Sequence, residues 1–588
     1  MALTKVTSKV LEDNLTVAGN LDVSSGTIKL DGNYPTGSQN VALGDAALSS
    51  ITSGFNNTVL GHNAGDAITT AASNTLMGVN AGGAITTGGG NIGLGVAALS
   101  SNTTASNNTA VGQSALAANT GASNTAVGKS AGAANTTGRI DAFGTDTLAT
   151  NTTGVSNAAF GATALNANTT GNYNTAVGSG SSGIYGALQV NTTGSNNTAI
   201  GNQALAQNTT ASNNTAVGKD ALILNTTGAR NVAVGSQSLD ANTTGTQNTA
   251  VGYQSLSSVV SGNYNTAVGD EALFSNTGSN NTAVGNDALY LNTTGTRNVA
   301  VGSESLDANT TGNYSIAIGH GAATTNTTAS GNVAIGDNAL SSNSTGTDNT
   351  AIGTFNGSDL PTMYFNTTGS QNTAVGQAAL YANTTGSYNT CIGRYAGKAI
   401  TTGTYNTMIG WNSGYNVTSQ NNVIMIGDYG FVGGFGDNYS LLISTRNEGT
   451  KGANTGFIDP NGGGVYQGNN SSTWSTVSDR RVKKNIVDNT VGLNAINQIQ
   501  VRNFEYRTEE EITDFENPKV VVVKKEGQHI GVIAQEIQEI LPDVVKEETS
   551  GFLSVNPDNL TWYLVNAVKE LSAKCDSLQS EINILKGE

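Results

Sequence analysis

The chain has 588 residues, too many for one compact core, yet only 11% are charged and glycine, at 75 residues, is heavily over-represented. A net charge of −16 with no Lys/Arg block argues against a nucleic-acid or anionic-membrane partner. The two cysteines, Cys391 and Cys575, lie too far apart in sequence to suggest a disulfide framework or a thiolate metal site, and no apolar run reaches signal-peptide or membrane-spanning length. The expectation is a soluble chain made in a cytoplasm, with no metal, no cofactor and no membrane insertion.

Residues 1–38 alternate apolar and polar positions (Leu15, Val17, Leu21, Val23, Ile28, Leu30), broken by Gly19 and Gly26. This reads as short strands and tight turns, too small for a core and expected to dock on a partner. From about Asn40 a repeat begins with the consensus N-T-A-V-G-x-x-A-L-x-x-N-T-T-G-x-x. Its glycine recurs 23 times between Gly44 and Gly427, at a spacing of 17 in most steps, 16 in a few and 23 in two. A fixed period separates a repeat fold from disorder. In Asn298-Val299-Ala300-Val301-Gly302, Val299 and Val301 face one way and Ala300 the other. The Ala-Leu pair, as in Ala288-Leu289, predicts a second short strand, and Asn-Thr-Thr-Gly a turn. The many Asn-X-Thr triplets formally match glycosylation acceptors but read as turns.

Such a unit cannot bury its apolar face alone, whereas stacked coils can. A β-solenoid of 23 coils over residues 39–427, about 110 Å long, is therefore predicted. One strand face fills the coil interior; the other is free to meet neighbouring chains. Two six-residue inserts interrupt the rod, one carrying Tyr185 and the other Tyr364 and Phe365. Loops on a rigid scaffold are where binding groups tend to sit, so these three are receptor-binding candidates; the alternative is a tolerated loop that packs on its own rod. Residues 428–477 turn aromatic, with a strand at Leu441–Ile443. They read as a distal tip or cap, and add Tyr429, Phe431 and Trp474 as candidates.

Residues 478–588 hold 13 Lys/Arg and 19 Asp/Glu, so 32 of the chain's 66 charges sit in its last fifth. Strands are predicted at Gln500–Tyr506 and Val520–Val523. A helix is predicted to be entered through His529–Glu536 and stopped by Pro542. Leu564, Val568, Leu571, Cys575, Leu578, Ile582 and Leu585 alternate steps of four and three, a heptad seam that predicts self-association. Ser478-Asp479-Arg480-Arg481-Val482-Lys483 opens this module. A serine needs a base, and Lys483 acts as one if burial or the neighbouring Arg480, Arg481 and Lys484 lower its pKa. Ser478 would then attack the carbonyl of Val477, with Asp479 orienting the turn. Taken alone, Ser-Asp equally reads as a helix cap.

Two resemblances follow from these residues. Ser315-Ile316-Ala317-Ile318-Gly319 is similar to the strand of trimeric autotransporter adhesin heads. It implies a left-handed β-roll-like coil and a trimer, although the period of 17 is longer than theirs. Ser478-Asp479-x-x-x-Lys483-x-Asn485-Ile486, then Gly531-x-x-Ala534-Gln535-Glu536 and Leu541-Pro542, resemble the self-cleaving intramolecular chaperone of phage endosialidases and tail fibres. The second resemblance covers residues 478–588. It implies a C-terminal α+β domain ending in a coiled coil, which assembles three chains and then releases itself by a Ser478–Lys483 cut before Ser478.

The expectation is a mainly β, homotrimeric tail fibre of a virion. Residues 1–38 would attach it to tail or baseplate proteins, and its surface would recognise a host glycan or protein. The alternatives are a glycan-depolymerising tailspike, which needs an acidic pair in a groove, and a bacterial surface adhesin.

Overall fold

A computed structural model describes residues 39–353, 360–430, 438–444, 455–459, 465–467, 475–476, 483–513, 526–547 and 552–587, with isolated residues between. Residues 1–38 and positions 520–522 of the strand predicted at Val520–Val523 lie outside the described residues. The chain divides into two compact units, Met1–Val477 and Ser478–Glu588.

In the first unit, 23 strands of three or four residues run from β1 (Val41–Leu43) to β23 (Ile424–Ile426), one per coil. Each pairs in parallel with the next: β16 (Val299–Val301) meets β17 (Ile316–Ile318) as Val299↔Ile316, Ala300↔Ala317 and Val301↔Ile318. The predicted solenoid of 17-residue coils is what forms. The predicted second strand does not. The Ala-Leu pair lies in a turn, with Leu289 at φ 54° and Leu306 at φ 51°. Alternating right- and left-handed residues there splits the backbone donors between two tasks. In one coil the Glu304 N–H donates to Asn286 O of the preceding coil (3.0 Å) and the Leu306 N–H to Ala322 O of the following one (3.0 Å). Ser305 and Asn309 close local turns onto Gly302 O and Leu306 O (3.4 and 3.1 Å). A left-handed non-glycine residue costs roughly 1–2 kcal/mol. The coils carry this strain because it aims these donors at acceptors of the coils above and below.

The coil interior is small and specific. The middle strand residue (Ala300, Ala317, Ala334) and the turn leucine (Leu289, Leu306, Leu340) are fully buried. Burying one such leucine contributes roughly 1.5–3 kcal/mol. Two buried asparagine files run beside this core. The Asn298 N–H donates to Asn281 Oδ1 (3.0 Å), and its amide donates to Gly312 O (2.8 Å). The Asn309 amide donates to Asn292 Oδ1 (2.7 Å) and Gly312 O (3.2 Å). Buried polar groups are tolerated only when paired in this way. The Asn-Thr-Thr asparagines are thus interior turn residues, as the turn reading expects.

Beyond the last repeat glycine two more strands continue the parallel stack: β24 (Leu441–Ser444), then β25 (Gly456–Asp459). The next two, β26 (Val465–Gln467) and β27 (Ser475–Thr476), pair antiparallel. The change of direction ends the stacking, as the last coil of a solenoid requires.

In the second unit the order is α1 (Leu493–Ile496), β28 (Arg502–Phe504), β29 (His529–Gly531), α2 (Ala534–Ile540), β30 (Val545–Glu547), β31 (Leu553–Val555) and α3 (Pro557–Lys586). The predicted helix entry is corrected here. His529–Gly531 is a strand antiparallel to β28, and the helix begins only at Ala534. β-branched Ile530 and the facing Phe504 strand favour the ladder over an early turn of helix. Among the described residues, the unit's buried core cluster is Ile537, Leu541, Val544 and Tyr563, with eight partly buried apolar residues around it. No helix among the described residues is long and apolar enough to cross a membrane.

Candidate functional site

The predicted cleavage residues Val477, Ser478 and Asp479 lie outside the described residues. Lys483 is exposed, and its N–H donates to Arg480 O (3.3 Å). Shortly after Lys483 the chain is tied to α3. The Asn566 amide donates to Asn489 O (2.9 Å), and the Leu493 N–H donates to Glu570 Oε2 (2.8 Å). A cavity of about 260 Å³ opens beside this junction, lined by Asn489, Asp543, Asn559, Trp562, Tyr563 and Asn566. The Tyr563 hydroxyl donates to Asp543 Oδ2 (2.6 Å); that bond, followed by burial, holds its pKa above the ordinary tyrosine value. Sequence reasoning found no role for Asp543, because its partner is twenty residues away on another element.

The heptad seam is solvent-facing in the single chain. Leu564, Val568, Leu571, Leu578, Ile582 and Leu585 are all exposed on α3, as is Cys575. Only Tyr563 and Ala567 of that helix are buried. The helix is well terminated: Asn556 caps its N-terminus by accepting from the Asp558 N–H, and Gly587 ends it in the left-handed conformation.

The rod shows the same feature on a larger scale. Because the small residue points inward, the larger third residue of each strand points out. Val301 is 36% and Ile318 39% exposed, and Leu43, Met77, Phe160, Ile200, Val251 and Ile426 continue the file. The first strand position beside it is mostly Thr, with Val299, Ile316 and Ile424 among the exceptions.

The receptor candidates are scattered. Tyr185 is exposed on its insert, which closes through a Ser181↔Ile184 bridge with Gly183 at φ 81°. Tyr364 and Phe365 do come together, joined by Tyr381 of the next coil. The Tyr364 ring lies 4.9 Å from Phe365 and 6.0 Å from Tyr381, and Phe365 lies 5.0 Å from Tyr381. Tyr429 contacts Trp411 and Tyr415, which the sequence reading passed over. The signal was the step of 17, which stacks position 411 beneath 428 and 429. Phe431 and Trp474 lie outside the described residues.

Carboxylates gather where the sequence shows them far apart. Burial, followed by Asp270 and Glu304, raises the pKa of Asp287; burial, then Glu304 and Asp287, raises that of Asp307. A raised native pKa means the folded state prefers the protonated acid. The associated stability is full below the unfolded value and is lost as pH rises through the folded one. Asp287→Asn is therefore expected to raise stability at pH 7 by about 0.3 kcal/mol, small because the group is solvent-screened. The gain should vanish near pH 3; parallel thermal melts at the two pH values measure it.

Residues 478–546 match the family model described as chaperone of endosialidase, a family that implies homotrimer assembly. The match begins at Ser478, where the second compact unit begins. The chain therefore carries a chaperone-of-endosialidase domain at its C-terminus, behind a β-solenoid body.

Proposed function

We propose that this chain is a virion tail fibre: a homotrimeric solenoid rod for host-surface attachment, assembled by residues 478–588, which then cut themselves off before Ser478. Residues 1–38 would join it to other tail proteins. The observation that carries this reading is the outward file of large apolar side chains, one per coil, along a rod whose interior is already full. A contiguous apolar stripe of that length is not left in water by a monomer. A second copy is the occupant whose period matches it at every coil, and the exposed heptad seam of α3 invites the same partner.

The test leaves the coil interior intact. With Val284→Asp, Val301→Asp and Ile318→Asp combined, light scattering should report one third of the wild-type mass, because three desolvated carboxylates per chain cost several kcal/mol. Unchanged far-UV circular dichroism would show that each rod still coils. A triple variant that keeps the wild-type mass would remove the stripe as an interface, and a monomeric wild type would remove the fibre.

A further inference from the structure

We propose that the ridge formed by the three coils of Gly393, Gly410 and Gly427 is a binding platform for an acidic oligosaccharide. The proposal rests on the attachment role above and assigns it a surface. The 17-residue step brings Arg394, Tyr395, Lys398, Trp411, Tyr415 and Tyr429 onto one edge of the rod. The Trp411 and Tyr429 rings meet edge to face, 4.4 Å apart at 89°, and Tyr415 lies 6.2 Å from Tyr429. The Arg394 guanidinium carbon lies 4.6 Å and Lys398 Nζ 5.0 Å from the centre of the Tyr395 ring. The Asp428 carboxylate accepts from the Trp411 backbone N–H (3.3 Å), and the Tyr429 backbone N–H donates to Trp411 O (3.0 Å), so side chain and backbone together tie these two coils.

Two features single it out. Trp411 is the one tryptophan of residues 39–427, and it stands 43% exposed with Tyr415 at 40%. Two of the seven Lys/Arg in that stretch, Arg394 and Lys398, sit here, four residues apart on an otherwise acidic rod. Exposed ring faces suit the C–H faces of a sugar ring, and adjacent cations suit its carboxylate. Size decides against a protein partner. Two coil steps span about 10 Å, whereas a protein interface needs roughly 800 Å² from each side.

The experiment uses the full chain on an array of uronic- and sialic-acid oligosaccharides beside neutral ones of equal length. Trp411→Ala and Lys398→Ala are run in parallel, with oligomeric mass and chain cleavage read on the same samples. Wild type should retain acidic probes. Trp411→Ala should weaken them at least about tenfold, and Lys398→Ala should weaken acidic probes while leaving neutral ones unchanged. Trimeric Trp411→Ala that binds as wild type overturns the platform, as does wild type that holds no acidic probe or neutral probes alone. Loss of trimer or of cleavage in wild type overturns the fibre reading instead, so the two failures are distinguishable.

Discussion

Lys483→Ala should leave a single uncut species of 588 residues, where the wild type should yield two pieces, residues 1–477 and 478–588. Intact-mass spectrometry of the purified proteins reads the difference directly. The effect is all-or-none, because without a base the Ser478 hydroxyl stays protonated and no acyl transfer starts. The exposed position of Lys483 in the single chain adds a second expectation. The cut should therefore follow assembly, and chains that stay monomeric should remain whole. The interface-broken Val284/Val301/Ile318 variant then tells whether rod contacts are needed, or the C-terminal unit suffices. A cut at another bond would move the site, and an uncut wild type would remove the dyad.

The second large effect is on stability. Gly302 has φ +132°, a region essentially closed to side-chain-bearing residues, and a Cβ there would sit 2.5 Å from Gly319 O and 2.6 Å from Gly319 C. The atoms in the way are backbone of the next coil, which cannot turn aside. Gly302→Ala is therefore expected to cost about 3 kcal/mol, combining strain and displacement of a paired coil. Ser303→Ala, one residue on, should cost little. Thermal melting of the two variants beside wild type separates them, and equal midpoints would show that the coil spacing is softer than the geometry says.

These two positions also show what the sequence made legible. The recurrence of Gly302's equivalents exposed the coil, its length and its repeat at once, because a backbone approach that close admits no other residue. Periodicity of two identified the faces of Val299-Ala300-Val301 but not which faced inward. Burial settles that, and it is the small residue. The Ala-Leu strand was misread because its leucine takes a left-handed conformation that propensity disfavours and inter-coil bonding enforces. Tyr429 was found by its aromatic surroundings. Trp411 was missed because its neighbours are 17 residues away, a distance that only the stacked coil makes short. Lys483 was legible as chemistry, by residue type and spacing, and in the single chain it lies exposed.

The two six-residue inserts have a consequence for how copies find one another. Across the first, Thr175 still pairs with Thr198, and across the second Thr350 with Thr373, so both loops are absorbed without breaking the ladder. Every other coil is nearly interchangeable with its neighbour, and a chain shifted by one coil would lose little contact. The inserts are not interchangeable: they are graduation marks on an otherwise blank ruler, and copies laid side by side would be level only when both marks align.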